Sequence, residues 1–131
     1  MAGHLSGKNI AVTGAGNGIG RSVAILCAKE GANVVVADYG VELDGSAPSS
    51  AVADEVVNQI KESGGNAIAV AGDVSESEVG QRIVETAIEA WGRIDGVACA
   101  AGILRERMLF NMTDEEFDDV VRVHLRGHFN V

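Results

Sequence analysis

Basic residues, long apolar runs and cysteines are all scarce in this sequence of 131 residues. The 10 Lys and Arg are outnumbered by 19 Asp and Glu, which gives a net charge of -9. An acidic protein is repelled by nucleic acid and by anionic membranes, so neither is expected as a partner. No apolar run approaches the ~20 residues of a membrane span, and no charged-then-apolar leader opens the chain.

Cysteine and proline are each limited to one or two positions. The two cysteines, Cys27 and Cys99, do not form a Cys-x-x-Cys pair. We therefore predict two reduced, buried thiols in a cytoplasmic protein, with a disulfide between them as the alternative. The single proline, Pro48, falls between Tyr39 and Ser50 in a stretch rich in Gly, Ser and Asp, which predicts a long loop. A tolerated surface insertion is favoured for this loop over a lid near a ligand.

Glycine, in contrast, is abundant, with 17 residues, and the stretch from Val12 to Gly20 spaces three of them as Gly-x-x-x-Gly-x-Gly. Apolar residues precede this stretch and helically spaced apolar residues follow it, so it forms a strand-to-helix turn. Gly14 permits a sharp reversal, Gly18 permits backbone to approach phosphates, and Gly20 permits close packing of helix on sheet. We predict a pyrophosphate cradle at the helix N-terminus; the alternative is a glycine-rich turn without a ligand.

Strands and helices are predicted to alternate along the whole chain. The predicted strands are Asn9 to Thr13, Val34 to Ala37, Asn66 to Ala71 and Ile94 to Ala100, and the predicted helices are Ile19 to Glu30, Ala51 to Glu62, one from the Ser75 cap to Trp91, and one opened by Thr113. A loose lead-in is expected from Met1 to Gly7. Alternation of this kind requires parallel strands, which predicts an α/β fold with a doubly wound sheet and no second domain.

Helix ends and faces are predicted from local signals. Ser75 with Glu78 and Thr113 with Glu116 each have the spacing of a capping box. The apolar residues of the third helix are predicted to form a buried stripe of Val79, Ile83, Ala87 and Trp91.

Asp38 follows the second predicted strand, beside the glycine turn in a doubly wound sheet. A carboxylate at this place accepts hydrogen bonds from the ribose hydroxyls of an adenosine and repels a 2′-phosphate. The glycine turn contains no Arg or Lys, and Tyr39 follows Asp38, so a basic group for a phosphate is missing. NAD is therefore predicted over NADP; the alternative is a solvated aspartate at a strand end.

The pattern Thr-Gly-x-x-x-Gly-Ile-Gly from Thr13 to Gly20 resembles the cofactor signature of the short-chain dehydrogenase/reductase family. The resemblance covers nearly all of these residues but only the first half of the family's fold. It implies a Rossmann-type sheet of order 3-2-1-4, truncated after the fourth strand and the following helix, with residues 1–131 as the NAD-binding part of a single domain. The fourth strand would then be an exposed edge, which predicts a homo-oligomer.

The resemblance also implies which residues bind the cofactor. Asp73 and Val74 match an Asp-Val pair that contacts adenine, and the residues from Cys99 to Gly102 resemble an Asn-Asn-Ala-Gly motif with both asparagines replaced. The lost amides would weaken the ties between central strands, while backbone contact with the nicotinamide ribose survives. The predicted cofactor-binding residues are Gly14, Asn17, Gly18, Ile19, Gly20, Asp38, Asp73, Val74, Ala100, Ala101 and Gly102.

The family's catalytic Tyr-x-x-x-Lys pair is not found in this sequence, since the one tyrosine, Tyr39, is followed four residues later by Leu43. No catalytic residue is therefore predicted, and the chain itself is expected to be inactive. His124 falls where many members place an Asn that supports a proton relay, and it is a possible relay position. His124 and His128 lie one helical turn apart, but no metal site is predicted, because no Cys, Asp or Glu obviously converges with them.

The residues from Gly102 to Arg107 and from Val123 to Gly127 narrow the resemblance to the branch that handles 3-hydroxyacyl and 3-oxoacyl thioesters. Similar sequences include alcohol and steroid dehydrogenases. The resemblance implies an NAD-dependent oxidoreductase that moves a hydride between nicotinamide and a secondary alcohol or ketone, a small-molecule substrate. The alternatives are a non-catalytic NAD-binding or sensor module, and an adenosine-cofactor methyltransferase, which the glycine spacing disfavours.

Overall fold

A computed structural model describes residues 3–40 and 49–131. The predicted alternation of strands and helices is confirmed in this part of the chain. The elements are β1 Asn9–Thr13, α1 Gly18–Lys29, β2 Asn33–Asp38, α2 Ala51–Glu62, β3 Asn66–Ala71, α3 Ser77–Trp91, β4 Gly96–Cys99, α4 Asp114–Val121 and α5 Gly127–Asn130. A 3-10 turn, Leu109–Asn111, precedes α4, and a π-helical turn, Arg122–Arg126, separates α4 from α5.

The four strands form one parallel sheet in the order β3-β2-β1-β4. This order confirms the predicted Rossmann-type sheet and leaves β4 at an edge. The central strand β2 is a run of valines that is buried on both faces. A run of β-branched residues buried in this way is typical of a sheet covered by helices on each side.

Two apolar cores lie on opposite faces of the sheet. On one face, Val12 and Val34 pack with Val56 and Ile60 of α2. On the other face, Val35 packs with the predicted stripe of α3, in which Val79, Ile83 and Ala87 are buried and Trp91 is partly buried. Alternate residues of β1 and β2 thus serve different cores, as the two-residue period of a strand requires.

Three local predictions are wrong, and α1 and β2 each begin one residue earlier than predicted. The lead-in is not loose over residues 3–7, because Leu5 packs against the first core and its N–H donates to the Glu30 carbonyl at 2.9 Å. The fourth strand is shorter than predicted. The helix α3 begins at Ser77 rather than after a Ser75 cap, because the Ser75 hydroxyl is occupied by Arg122 at 2.9 Å.

Other local predictions are confirmed. Thr113 and Glu116 form both hydrogen bonds of a capping box at the start of α4. The two cysteines were predicted to be buried, but Cys27 and Cys99, which form no disulfide, are only partly buried. The predicted loop from Tyr39 to Ser50 lies mostly outside the described residues, as do Pro48 and Leu43. No helix in the described ranges is both long enough and apolar enough to cross a membrane.

The amino-terminal end of the sheet is closed by an asparagine ladder, which we define as Asn9, Asn33 and Asn66. These residues are the first of β1, β2 and β3 and lie side by side in register. The Asn66 amide donates to Asn33 at 3.0 Å, and the Asn33 amide donates to Asn9 at 2.8 Å. The Asn9 amide ends the ladder on the Arg93 carbonyl at 3.0 Å. The ladder therefore pins the register of three strands at the end opposite the glycine turn.

Candidate functional site

The turn between β1 and α1 brings the ends of several elements together. Gly14 has a φ of 63°, and a Cβ there would lie 2.6 Å from the backbone nitrogen of Ala101. Gly20 lies so close to the carbonyl oxygen of Gly14 that a Cβ would overlap it. These contacts join the glycine turn to the residues after β4 and hold α1 against the turn. Packing alone therefore requires glycine at both positions.

Gly18 differs from these two glycines. Its φ is 54°, but a Cβ there would meet no atom within 4 Å. Its neighbours Asn17 and Ile19 are exposed, and the Asn17 side chain makes no capping bond to α1. The first N–H groups of a helix have no partner within it and carry partial positive charge. The N-terminus of α1 therefore opens onto free space, the arrangement that binds phosphate.

Asp38 at the end of β2 lies directly against the glycine turn. Its Oδ2 accepts a hydrogen bond from the Gly16 N–H at 2.8 Å, and its Oδ1 accepts from the Gly40 N–H at 2.7 Å. A Cβ on Gly16 would lie 2.8 Å from the same Oδ2. The two backbone N–H groups orient the half-buried carboxylate and leave a lone pair on each oxygen for a ligand donor.

The end of β4 is tied to β1 by Thr13. The buried Thr13 accepts from the Ala100 N–H through its carbonyl at 3.2 Å and from the Ala101 N–H through its hydroxyl at 3.3 Å. Burial raises the pKa of the Cys99 thiol, an effect that a hydrogen bond with Thr13 partly offsets. Cys99 is therefore a neutral thiol at neutral pH.

His124 lies in the π-helical turn and reaches back to the loop after β4. Its Nε2 is 3.1 Å from the Ile103 nitrogen and 2.9 Å from the Ile103 oxygen. A Cβ on the exposed Gly102 would lie 3.0 Å from the same Nε2. The ring therefore fixes the path of the chain just past Ala101 and Gly102. Within the described ranges, no three His, Cys, Asp or Glu side chains are grouped so as to hold a metal.

An apolar pocket of about 330 Å³ opens beside His124. Its walls come from the loop after β4, from α4 and from the π-helical turn, and are formed by Ile103, Leu104, Arg105, Met112, Phe117, Val120 and His124. Several nearby apolar side chains are exposed, including Phe117 at 57% and Leu125 at 69%. This side of α4 and the π-helical turn is therefore largely apolar and uncovered.

Asp73 and Val74 follow β3 and are held by the last helical segment. Asp73 Oδ1 accepts from the Ser75 N–H at 2.9 Å, and its Oδ2 lies 3.3 Å from the Arg122 guanidinium. Val74 is only 7% exposed, and its carbonyl accepts from the Asn130 amide at 2.9 Å. The loop that carries both predicted adenine contacts is therefore ordered by residues far along the chain.

Thr13 and Arg122 were missed by sequence reasoning. Thr13 belongs to the recognised glycine pattern, so its place at a strand end next to the residues after β4 was a usable signal. Arg122 had no signal of this kind, because its contacts with Asp73 and Ser75 join positions that only the fold brings together.

A model of the short chain dehydrogenase family matches residues 8–131 of this chain. The chain belongs to the short-chain dehydrogenase family. It is 45% identical over 127 residues to the peroxisomal multifunctional enzyme type 2 of Mus musculus and 47% identical over 125 residues to the hydroxyacyl-CoA dehydrogenase ChsB1 of Mycobacterium tuberculosis. The alignments cover 97% and 95% of this chain, respectively. These relatives support the predicted resemblance to the 3-hydroxyacyl branch of the family.

Solved structures of this family show the same fold. A crystal structure of a short chain dehydrogenase from Mycobacterium avium superposes with a TM-score of 0.89 at 46% identity and covers 98% of this chain. The chain spans 44% of that structure, 17% of the mouse enzyme and 38% of the mycobacterial dehydrogenase. It therefore corresponds to less than half of each of these relatives.

Proposed function

We propose that this chain is the NAD-binding part of a single Rossmann domain in an oxidoreductase that moves a hydride between nicotinamide and a secondary alcohol or ketone. The observation that carries the proposal is the open N-terminus of α1 at Gly18, next to the oriented carboxylate of Asp38. The helix N-terminus would hold the pyrophosphate, and Asp38 would accept from the adenosine ribose. The bound cofactor supplies the hydride chemistry.

The preference for NAD over NADP is proposed from charge. Asp38 presents a carboxylate at the site where the 2′-oxygen of the ribose would lie, and its two backbone partners keep it in place. A 2′-phosphate would face this negative charge in a protein whose net charge is already -9. Repulsion between the Asp38 carboxylate and a 2′-phosphate next to it would favour NAD, which lacks this phosphate.

The remaining predicted residues are assigned along the same dinucleotide. Asp73 and Val74 would bind adenine, and the backbone from Ala100 to Gly102 would approach the nicotinamide ribose. His124, which contacts Ile103 and Gly102, would support a proton relay at that end. Because Val74 is nearly buried, its contact with adenine would come from the small exposed part of the residue.

The proposed substrates are 3-hydroxyacyl and 3-oxoacyl thioesters. Two observations favour this class: relatives are named as a hydroxyacyl-CoA dehydrogenase and as multifunctional peroxisomal enzymes, and an apolar pocket lies beside His124. The chain itself is proposed to be inactive, because it contains no Tyr-x-x-x-Lys proton donor.

Calorimetric titration of the chain tests the proposed cofactor. NAD should bind, NADP should bind at least about tenfold more weakly, and S-adenosylmethionine should give no heat. The variant Asp38→Asn should narrow the difference between NAD and NADP, whereas the exposed control Asp118→Asn should leave it unchanged. Tighter binding of NADP than NAD would contradict the assignment of Asp38. Steady reduction of NAD with an added alcohol would contradict the proposed inactivity.

A homo-oligomer and a cytoplasmic location remain proposals. For the 131-residue chain taken by itself, β4 is an edge strand with Val97 42% exposed, and an open edge can pair with another chain. Sedimentation and unfolding over a range of protein concentrations test it, and a concentration-independent unfolding transition of a monomer would contradict it. Fractionation of cells tests the second, which the peroxisomal names of several relatives make worth measuring.

A further inference from the structure

We propose that Arg122 is a positioning residue that fixes the carboxylate of Asp73 for recognition of the adenine amine. This inference rests on the proposed function and adds a residue to its adenine end. The Arg122 guanidinium lies 3.3 Å from Asp73 Oδ2 and donates to the Ser75 hydroxyl at 2.9 Å. It therefore contacts the loop between β3 and α3 at two points.

The two contacts hold the Asp73 carboxylate in one orientation and leave acceptor capacity on both of its oxygens. Its Oδ1 accepts from the Ser75 N–H, and its Oδ2 accepts from Arg122. An ionised carboxylate has about four acceptor sites, so each oxygen keeps capacity for a second donor. The exocyclic amine of adenine is a donor of the required kind. Hypoxanthine, which carries an oxygen there instead, would face the carboxylate with an acceptor.

Arg122 is itself held from its own helical segment. Its second guanidinium nitrogen lies 3.6 Å from Asp119 Oδ1, and Asp119 Oδ2 is 3.3 Å from Arg105 in the loop after β4. These four charged side chains link the loop after β3 with the loop after β4. The two loops carry the predicted adenine and nicotinamide-ribose contacts, so the network joins both ends of the proposed site.

The π-helical turn brings Arg122 and Asn130 into contact with the same loop, the one between β3 and α3. The wider turn takes up an extra residue between α4 and α5. Arg122 then reaches Asp73, while the Asn130 amide reaches the Val74 carbonyl at 2.9 Å and Gly127 packs against the Val74 side chain. Two consecutive residues of the loop are thus held by one helical segment.

The exposure of the two side chains indicates that Arg122 affects the orientation of Asp73 more than it affects the stability of the protein. The Arg122 side chain is 47% exposed and that of Asp73 is 15% exposed. Solvent screens ion pairs of this exposure, so their contribution to folding is small. The geometric effect on the carboxylate is not screened in this way, and it should appear in ligand selectivity.

The experiment compares binding of NAD and nicotinamide hypoxanthine dinucleotide to the chain by calorimetry. The unmodified chain should prefer NAD by about tenfold, the effect of one hydrogen bond to a charged group. Arg122→Met should reduce the preference to within about twofold, and Arg122→Lys should restore part of it. The control Arg107→Met removes another arginine–carboxylate pair, between the loop after β4 and Glu116 of α4, in which the arginine is 53% exposed; it should keep the full preference.

Asp73→Asn provides a second test that does not depend on removing the arginine. This variant should also lose the preference, and adding Arg122→Met to it should change the preference no further. Far-UV circular dichroism and urea midpoints verify that each variant is folded. An unchanged preference in folded Arg122→Met overturns this inference and leaves the proposed function standing. Failure of the unmodified chain to bind either dinucleotide overturns both.

Discussion

The two ends of the sheet differ in how their polar groups find hydrogen-bond partners. At the amino-terminal end, polar groups are satisfied within the protein by the asparagine ladder and by Asp95, whose Oδ2 accepts from the Asn9 N–H at 2.8 Å. At the carboxyl-terminal end, the first turn of α1 opens onto free space at Gly18. Only the loops around this opening, held by Thr13, Asp38 and Arg122, are satisfied internally.

The difference shows that the amino-terminal end of the sheet is used for rigidity, while the carboxyl-terminal end leaves N–H donors free to bind a ligand. Parallel strands have all their carboxyl ends on one edge, so helix N-termini and strand-end side chains collect there. The opposite edge has no such dipoles to offer a ligand. Side chains at that edge can be used entirely for register, and three strands of this sheet begin with Asn for that purpose.

The largest expected effect comes from adding a methyl group to the closed side of the glycine turn. Gly14→Ala places a Cβ at a φ of 63° and 2.6 Å from the Ala101 nitrogen. Left-handed strain and the clash together should lower the free energy of unfolding by about 3 kcal/mol. Urea denaturation followed by circular dichroism measures this loss.

Gly18→Ala is the matched control for this prediction. It introduces the same methyl group at a similar φ, but into open space. The strain alone should lower the free energy of unfolding by about 1 kcal/mol. NAD binding should weaken more than in any variant that loses the same stability through a substitution elsewhere in the chain. Equal losses of stability at the two glycines would show that the turn is not divided into a packed side and an open side.

A smaller loss of stability is expected at the amino-terminal end. Asn33→Ala removes the middle of the asparagine ladder and leaves the side-chain oxygen of Asn9, a residue only 4% exposed, without its donor. The unfolding free energy should fall by about 2 kcal/mol, with NAD affinity unchanged. Asn66→Ala, at the exposed end of the ladder, should cost about 0.5 kcal/mol. A change in NAD affinity with Asn33→Ala would contradict the separation of the two ends.

The sequence predicted the fold better than it predicted the polar contacts. The bounds of β1, α2 and β3 follow from apolar runs and glycine stops, which are local signals, and the structure has them as predicted. The strand β4 begins two residues later than predicted, where the Asp95 carboxylate and not a backbone carbonyl accepts from the Asn9 N–H. The Ser75 capping box failed for a similar reason, since Arg122 binds the hydroxyl from a distant segment.

The same limit applies to the site. The glycine pattern and Asp38 lie close in sequence to elements with clear periodicity, so their meeting at one edge of the sheet could be predicted. The link from Asp73 through Arg122 to Asp119 could not, because Arg122 and Asp73 lie 49 residues apart in the sequence and only the packed fold brings them into contact.

The smallest expected effect is a pH dependence confined to the closed end. The Asn9 N–H and the nearby Arg93 hold the pKa of Asp95 below its ordinary value of 3.8. A carboxyl group with a lowered pKa in the folded state stabilises the protein above the unfolded pKa, and this contribution disappears as the pH falls through the folded pKa. The difference in unfolding free energy between the unmodified chain and Asp95→Asn should therefore be constant near neutral pH and shrink in acid below about pH 4.

Urea titrations of both proteins across this range measure the difference, and the contributions of the other carboxyl groups cancel because they are common to both proteins. A difference that stays constant into strong acid would mean that the Asp95 charge does not stabilise the closed end, and that its hydrogen bond from Asn9 serves equally well when the acceptor is neutral.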